Sequence, residues 1–372
     1  MKKLAIIGAS YLQEPIVRKA KEMGIYTICF AWREGATCAD ICDKFYPVSI
    51  IDKEQVLEIC RKEEIDGITT IASDTATITV NYVASRMGLI SNPEDYSEIC
   101  TNKYKMRLCF AEHDVPSPRF ALVEGADSAS CADFQYPLIV KPTDRSGNRG
   151  VEKVETPERL EKAIARAQEA SFEHKAIVEE FVTGCEVSVE SISFEGRHTI
   201  LQITDKVTSG APYFVELAHH QPSALPTEVQ SRIREIVLHA LDALHIRYGA
   251  SHAELKITES GDIRVIEIGA RMGGGFIGSH LVQLSTGYDF VKGVIEVALG
   301  SFTRPVLSEA HCSGVYFLCL ETSSLLPFIK NADSHPDIVE AKVTSSDLRS
   351  AECCTDRSGY LIYQGDKRYI PQ

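Results

Sequence analysis

The sequence predicts a mixed α/β and α+β protein built from several units. Three observations predict it. Strand-like and helix-like segments alternate through the first hundred residues, a short α+β stretch near 115–181 carries a glycine-bearing loop, and strands dominate from Glu186 onward. Alternation implies a doubly wound parallel sheet with helices on both faces. A length of 372 residues suits two or three compact units rather than one small core. The expected boundaries give an N-terminal α/β unit at 1–100, a linker helix and lid at 101–181, a larger antiparallel strand-rich unit at 182–300, and a β-rich extension at 301–372.

Residues 3–8 (Lys-Leu-Ala-Ile-Ile-Gly) read as a buried strand ending in a glycine turn. Gln13 to Gly24 places Ile16, Val17, Ala20 and Met23 on one side of a helix that Gly24 stops. Ile25 to Phe30 is the next strand, and Lys53 to Lys62 a helix with Val56, Ile59 and Cys60 inward. A strand at Ile65–Ile71 and a helix through Val83 and Ala84 complete the alternation. The turn Gly8-Ala9-Ser10 lacks the GxGxxG spacing, and no acidic residue closes the second strand, so a plain sheet without its own dinucleotide is expected. A helix follows from Asn102 to Ala111, then an extended bend at Val115-Pro-Ser-Pro118. Phe134 to Lys141 reads as a strand, 157–169 as an amphipathic helix and Ala176 to Phe181 as a strand. Further strands are expected at 186–194, 198–204, 251–258 and 263–268, with one long helix at 227–245. Residues 300–372 show short strands and turns without a motif.

Bulk properties narrow the partners. The formal net charge is −13, with no block of Lys and Arg, which argues against a nucleic-acid backbone. The apolar run after Met1 is too short for a signal core or a membrane span, and no spanning stretch occurs elsewhere, so no membrane partner is expected. Twelve cysteines are scattered without a CxxC pair, which fits reduced, mostly buried thiols in a cytoplasmic protein better than a zinc site.

The chemistry lies in four ordered pieces: Tyr136–Pro142, Asp144–Val151, Ala253–Ile257 and Arg264–Arg271. Lys141 closes an apolar strand beside the loop, and Lys103 starts a helix 38 residues earlier, so two ammonium groups can meet phosphates. Gly147 and Gly150, with Ser146 between the flanking charges, let loop amides turn toward a triphosphate. The segment Val178–Glu186 reads as a hinge whose backbone can meet an adenine edge, with Glu186 placed to accept from ribose hydroxyls. Glu254 and Glu267 sit on strands joined by the turn Ser260-Gly261-Asp262, so both carboxylates can face one side and hold Mg²⁺ with phosphate oxygens. Arg271 can reach an oxyanion bidentately, and Gly273 and Gly274 let backbone approach a substrate.

In this order the pieces resemble the ATP-grasp superfamily, and within it the carboxylate–amine ligases typified by bacterial L-amino-acid ligases. The resemblance covers roughly residues 1–300 and implies ATP lying between a lid and a larger subdomain. It further implies that Lys103 and Lys141 bind phosphate, that Ser146, Gly147 and Gly150 form the lid loop, and that Glu179, Glu180, Phe181 and Val182 form the adenine hinge beside Glu186. By the same resemblance Lys206 sits near the γ phosphate, Glu254 and Glu267 bind Mg²⁺ (with Mn²⁺ able to replace it), and Arg271 meets acyl-phosphate oxygens. The implied reaction is ATP-dependent joining of a small carboxylate and an amine, and a homodimer is a common assembly. Two departures stand out. Many relatives have Asn two residues after the second glutamate, where this chain has Gly269, and the Glu-x-Gly-His segment of amino-acid ligases reads Glu216-Leu-Ala-His219. Glu216 and His219 are thereby implied as an amine-substrate site, His219 being expected in a loop. A bicarbonate-activating enzyme and a non-catalytic nucleotide binder would share the nucleotide residues.

Overall fold

The computed structural model describes residues 1–125, 129–145, 147, 149–211 and 213–371. The chain begins with β1 (Lys3–Ile7), α1 (Glu14–Glu22), β2 (Tyr26–Phe30), β3 (Lys44–Tyr46), α2 (Lys53–Glu63), β4 (Gly67–Thr69) and α3 (Asp74–Met87). The four strands form a parallel sheet in the order β3-β2-β1-β4. Alternation along β1 decides which side each residue joins: Leu4 and Ile6 pack with Ile16, Val17 and Ala20 of α1, while Ala5 and Ile7 pack with Val56 and Leu57 of α2 and Val83 of α3. The expected glycine turn is present, and its space is filled from within the chain. Gly8 has φ +105°, and a Cβ there would lie 2.9 Å from Gln13 Cδ. The Gln13 amide folds into the turn, accepts from the Ser10 amide at 3.1 Å and donates to the Ile71 carbonyl at 2.8 Å.

Next come α4 (Lys103–Glu112), β5 (Phe120–Glu124), β6 (Leu138–Pro142), β7 (Glu152–Val154), α5 (Leu160–Ala170) and β8 (Lys175–Glu180). Their strands make an antiparallel sheet, β5-β8-β6-β7, backed by Ala163, Ile164 and Ala167 of α5. Then follow β9 (Cys185–Phe194), β10 (Arg197–Thr208), β11 (Glu216–Gln221), α6 (Thr227–Ala243), β12 (Gly249–Ile257), β13 (Ile263–Gly269), α7 (Val282–Thr286) and α8 (Phe290–Ala298). The last elements are β14 (Cys312–Leu318), α9 (Leu326–Lys330), β15 (Ile338–Val343) and β16 (Gly359–Gly365). Eight of these strands form one antiparallel sheet in the order β13-β12-β9-β10-β11-β14-β16-β15. Two features were not expected. Residues 216–221 are a strand rather than a loop, and the strands after residue 300 continue the same sheet through the β11–β14 pairing. In addition, α8 closes the N-terminal sheet, with Phe290, Val294 and Ile295 in the core shared with β1 and α1.

On one face of the large sheet, Val187, Val189, Ala253, Leu255 and Val265 pack under α4 and α6. The strict period of two sends the intervening residues of β9 and β12 to the opposite face. In β13 that parity is broken on purpose of packing: a bulge opposite Glu254 and Leu255 lets Val265 and Ile268 both stay in the core while Glu267 lies in register with Glu254.

Gly184 joins the two antiparallel sheets at φ +134°, and a Cβ there would lie 2.0 Å from the Ile257 carbonyl oxygen. Gly184→Ala combines left-handed strain with a backbone collision. We expect a loss of about 2–4 kcal/mol, read as a lowered urea midpoint at unchanged slope. A midpoint equal to wild type would refute the close approach.

Candidate active site

Between the lid sheet and the large sheet lies a cavity of about 340 Å³. The lid contributes Ile139, Lys141 and Gly147, and the segment after β8 contributes Phe181 and Val182. The large sheet contributes Glu186, Lys206, Glu254, Glu267 and Arg271. Lys103 enters from α4, whose start is capped by Asn102 accepting from the amides of Tyr104 and Lys105 at 3.1 Å. Glu179, Glu180 and Glu216 complete the predicted residues on its wall.

The lysines of the site are matched by carboxylates. Lys206 Nζ lies 2.7 Å from Glu186 and from Glu254 and 3.1 Å from Glu216, with its side chain 3% exposed. Burial pushes the Lys206 ammonium down, but the three acids outweigh it and hold it well above the usual lysine value. Burial likewise pushes Glu254 and Glu216 up, and the Lys206 charge reverses this and holds both well below the usual carboxylate range. Lys103 Nζ donates to Glu267 Oε1 and to the Arg145 carbonyl, both at 2.9 Å. Lys141 Nζ is 2.7 Å from Glu179 Oε2, yet burial keeps its ammonium below the usual lysine range.

Among the described residues no three His, Cys, Asp or Glu side chains are grouped to hold a metal ion unaided. Glu254 and Glu267, directly opposite in register, fit Mg²⁺ in the mode that takes one or two carboxylates and completes its octahedron from phosphate and water oxygens.

Sequence reasoning missed four charged residues here. Arg107 is fully buried, one helical turn beyond Lys103 on α4, with Nε 2.8 Å from Glu179 Oε1 but off the hydrogen-bonding direction. The i, i+4 spacing from Lys103 was the available signal. Glu190 has no exposed surface, pairs with His252 Nδ1 and accepts from the Gly273 amide at 3.0 Å. Burial lowers His252, but the Glu190 charge more than offsets it and raises the imidazole to about 9. An acid in the middle of a strand with Val187, Val189 and Ile192, and a histidine two residues before Glu254, were the signals. Asp74 opens α3 and grips Arg271, with Oδ1 2.8 Å from Nε and Oδ2 3.1 Å from Nη2. Its place after β4, at the carboxyl edge of a parallel sheet, is where ligand-facing residues gather.

Some predicted residues are placed differently. Glu179 lines the cavity, but both edges of its strand are paired, to Phe120 and Ile139, and its carboxylate is committed to Lys141 and Arg107. Gly150 meets packing rather than the cavity, since a Cβ would lie 2.8 Å from Ala170 Cβ and 2.9 Å from Pro142 Cγ. Gly273 spends its amide on Glu190, and the nearest contact of a Cβ on Gly274 would be Ala72. His219 lies on β11 rather than in a loop and has no exposed surface. Both its ring nitrogens lack hydrogen-bond partners, and Glu216 Oε2 is 3.6 Å away. Burial pulls its basicity below the usual histidine value. Ser146 falls outside the described residues.

Residues 134–280 match the family model described as ATP-grasp domain. The chain is 24% identical over 354 residues to the ATP-grasp enzyme fsqD of Aspergillus fumigatus, covering 82% of this chain and 60% of that protein. It is 28% identical over 203 residues to a D-alanine–D-alanine ligase of Aromatoleum aromaticum, covering 52% of this chain and 64% of that protein. The chain thus spans less than two thirds of the length of either relative. Its fold superposes on the L-amino acid ligase from Bacillus licheniformis with a TM-score of 0.84 at 22% identity, covering 99% of this chain and 94% of that one. No helix among the described residues is long and apolar enough to cross a membrane.

Proposed function

We propose, from the premise that this chain carries an ATP-grasp domain and resembles the carboxylate–amine ligases of that superfamily, that it joins a small carboxylate to an amine at the expense of ATP. The observation that carries this reading is the cavity on whose wall Lys103, Lys141 and Lys206 meet Arg271 and the in-register Glu254 and Glu267. The adenine would lie toward Phe181 and Val182, and the triphosphate against Lys103, Lys141 and the Gly147 loop. Glu254 and Glu267 would hold Mg²⁺, which would supply charge neutralisation during phosphoryl transfer.

In the first step a carboxylate oxygen attacks the γ phosphorus and the bond to the leaving ADP breaks. Lys206 and Arg271 would stabilise the charge that develops on the transferred group. In the second step the amine attacks the acyl carbon, the C–O bond to phosphate breaks, and the amine proton leaves with solvent or phosphate. No protein nucleophile is required, so the residues contribute position and charge. Closure of the lid sheet over the cavity would exclude water from the acyl phosphate. Glu216, on the cavity wall, marks the end of the site proposed for the amine, with His219 buried behind it on the same strand.

The test is release of ADP, AMP and phosphate from Mg-ATP against single amino acids, their pairwise mixtures and bicarbonate. ADP and phosphate appearing only with a carboxylate–amine pair is the expected result. ADP with bicarbonate alone would replace the reading by a carboxylase type, and tight ATP binding without turnover would leave a nucleotide-binding protein.

A further inference from the structure

The Asp74–Arg271 pair explains the departure at position 269. A Cβ on Gly269 would lie 2.5 Å from Asp74 Oδ1 and 3.1 Å from the Arg271 Nε and Cζ atoms. The space that a side chain at 269 would occupy is therefore filled by a carboxylate oxygen delivered from the N-terminal sheet. We propose that Asp74 is the positioning residue for Arg271 and stands in for the absent side chain at 269, holding the guanidinium toward the oxyanion of the reaction. The inference rests on the proposed place of Arg271 at that oxyanion.

The supports of Asp74 show that its position is built. Ala72, two residues before it, adopts φ +56°, a left-handed conformation that is strained for alanine. The strained turn puts the Ala72 amide on the Met272 carbonyl at 3.2 Å, next to Arg271. Gln13, lodged in the Gly8 turn, fixes the preceding Ile71 carbonyl. Gly8, Gln13, Ile71, Ala72 and Asp74 thus form one continuous support reaching from the N-terminal sheet to Arg271. Arg271 donates to both Asp74 oxygens through Nε and Nη2, which fixes the guanidinium plane, while its Nη1 lies 3.4 Å from the Met272 carbonyl. Asp74, Gly269 and Arg271 all line the cavity that holds the lysines and glutamates.

The experiment titrates inorganic phosphate, as the oxyanion probe, into the whole 372-residue chain saturated with Mg-ADP. Wild type is compared with Asp74→Ala, Asp74→Asn, Gly269→Asn, Arg271→Ala and the double variant Asp74→Ala/Gly269→Asn. Asp74→Ala should weaken phosphate at least tenfold, as Arg271→Ala does, while Mg-ADP affinity stays within twofold. Asp74→Asn keeps the volume but sets an NH2 donor against one guanidinium N–H and removes the charge, so it should also weaken phosphate, by less than Asp74→Ala. Gly269→Asn alone should lose affinity because its side chain displaces Asp74. The double variant should regain at least fivefold over either single change, a coupling that general loss of stability does not produce. Phosphate binding by Asp74→Ala equal to wild type overturns the inference, and so does a double variant no better than its parents or a wild type that does not bind phosphate. A wild type that binds phosphate but releases no ADP with any substrate overturns the ligase reading and leaves the role of Asp74 intact.

Discussion

Replacing Lys206 by Met is expected to give the largest loss of any single change in the site. The substitution keeps the stem and removes the ammonium that lies within 3.1 Å of Glu186, Glu216 and Glu254. Losing one partner of a buried ion pair costs about 3–5 kcal/mol. The lower end applies here, because Arg357 still holds Glu216 at 3.0 Å and Lys256 still holds Glu186 at 3.0 Å. The deficit should depend on pH with a defined sign. In the wild type Glu216 and Glu254 titrate well below the ordinary 4.5, so their pairing contributes stability above that value and loses it as pH falls through the lower folded one. In the variant the lysine charge is gone, burial is opposed only by Arg357 and His219 at Glu216 and by His252 at Glu254, and these carboxyls rise. The deficit is then fully present at neutral pH and shrinks as pH falls toward the ordinary carboxylate range and they take up protons. Urea unfolding across that range checks it, and a deficit independent of pH would show that the acids never depended on Lys206.

Lys141→Met should act on catalysis far more than on folding. Glu179, the carboxylate it leaves, keeps Arg107 beside it, with Arg107 Nε 2.8 Å from Oε1. ADP formation at saturating Mg-ATP should fall about 10²–10³-fold, the usual loss on removing one preorganised charge from a transition state. Burial holds the Lys141 ammonium below the ordinary 10.5, the nearby Glu179 notwithstanding. Affinity for Mg-ATP should therefore decline as pH rises, beginning below the point at which a solvated lysine would discharge. Single-turnover kinetics beside an unfolding curve separates the two effects. Unchanged turnover would remove Lys141 from the phosphate site.

What the sequence determined by itself was the kind of chemistry and the face of each element. The alternation of strands with helices through the first hundred residues announced a sheet covered twice, and the turn after Ile257 placed Glu254 and Glu267 on paired strands, because both signals are local to the chain. Tertiary structure alone decided which charges neutralise which. Asp74 and Arg271 stand 197 residues apart, Lys103 and Glu267 stand 164 apart, and Lys206 meets acids drawn from three other strands of one sheet. His219 became a core residue only because β14 pairs beside β11, and Glu179 became a partner of Lys141 because its strand is paired on both edges. The physical reason is range. Periodicity is a local property of the chain, whereas ion pairing and desolvation depend on which distant segments the sheets bring together and close off from water.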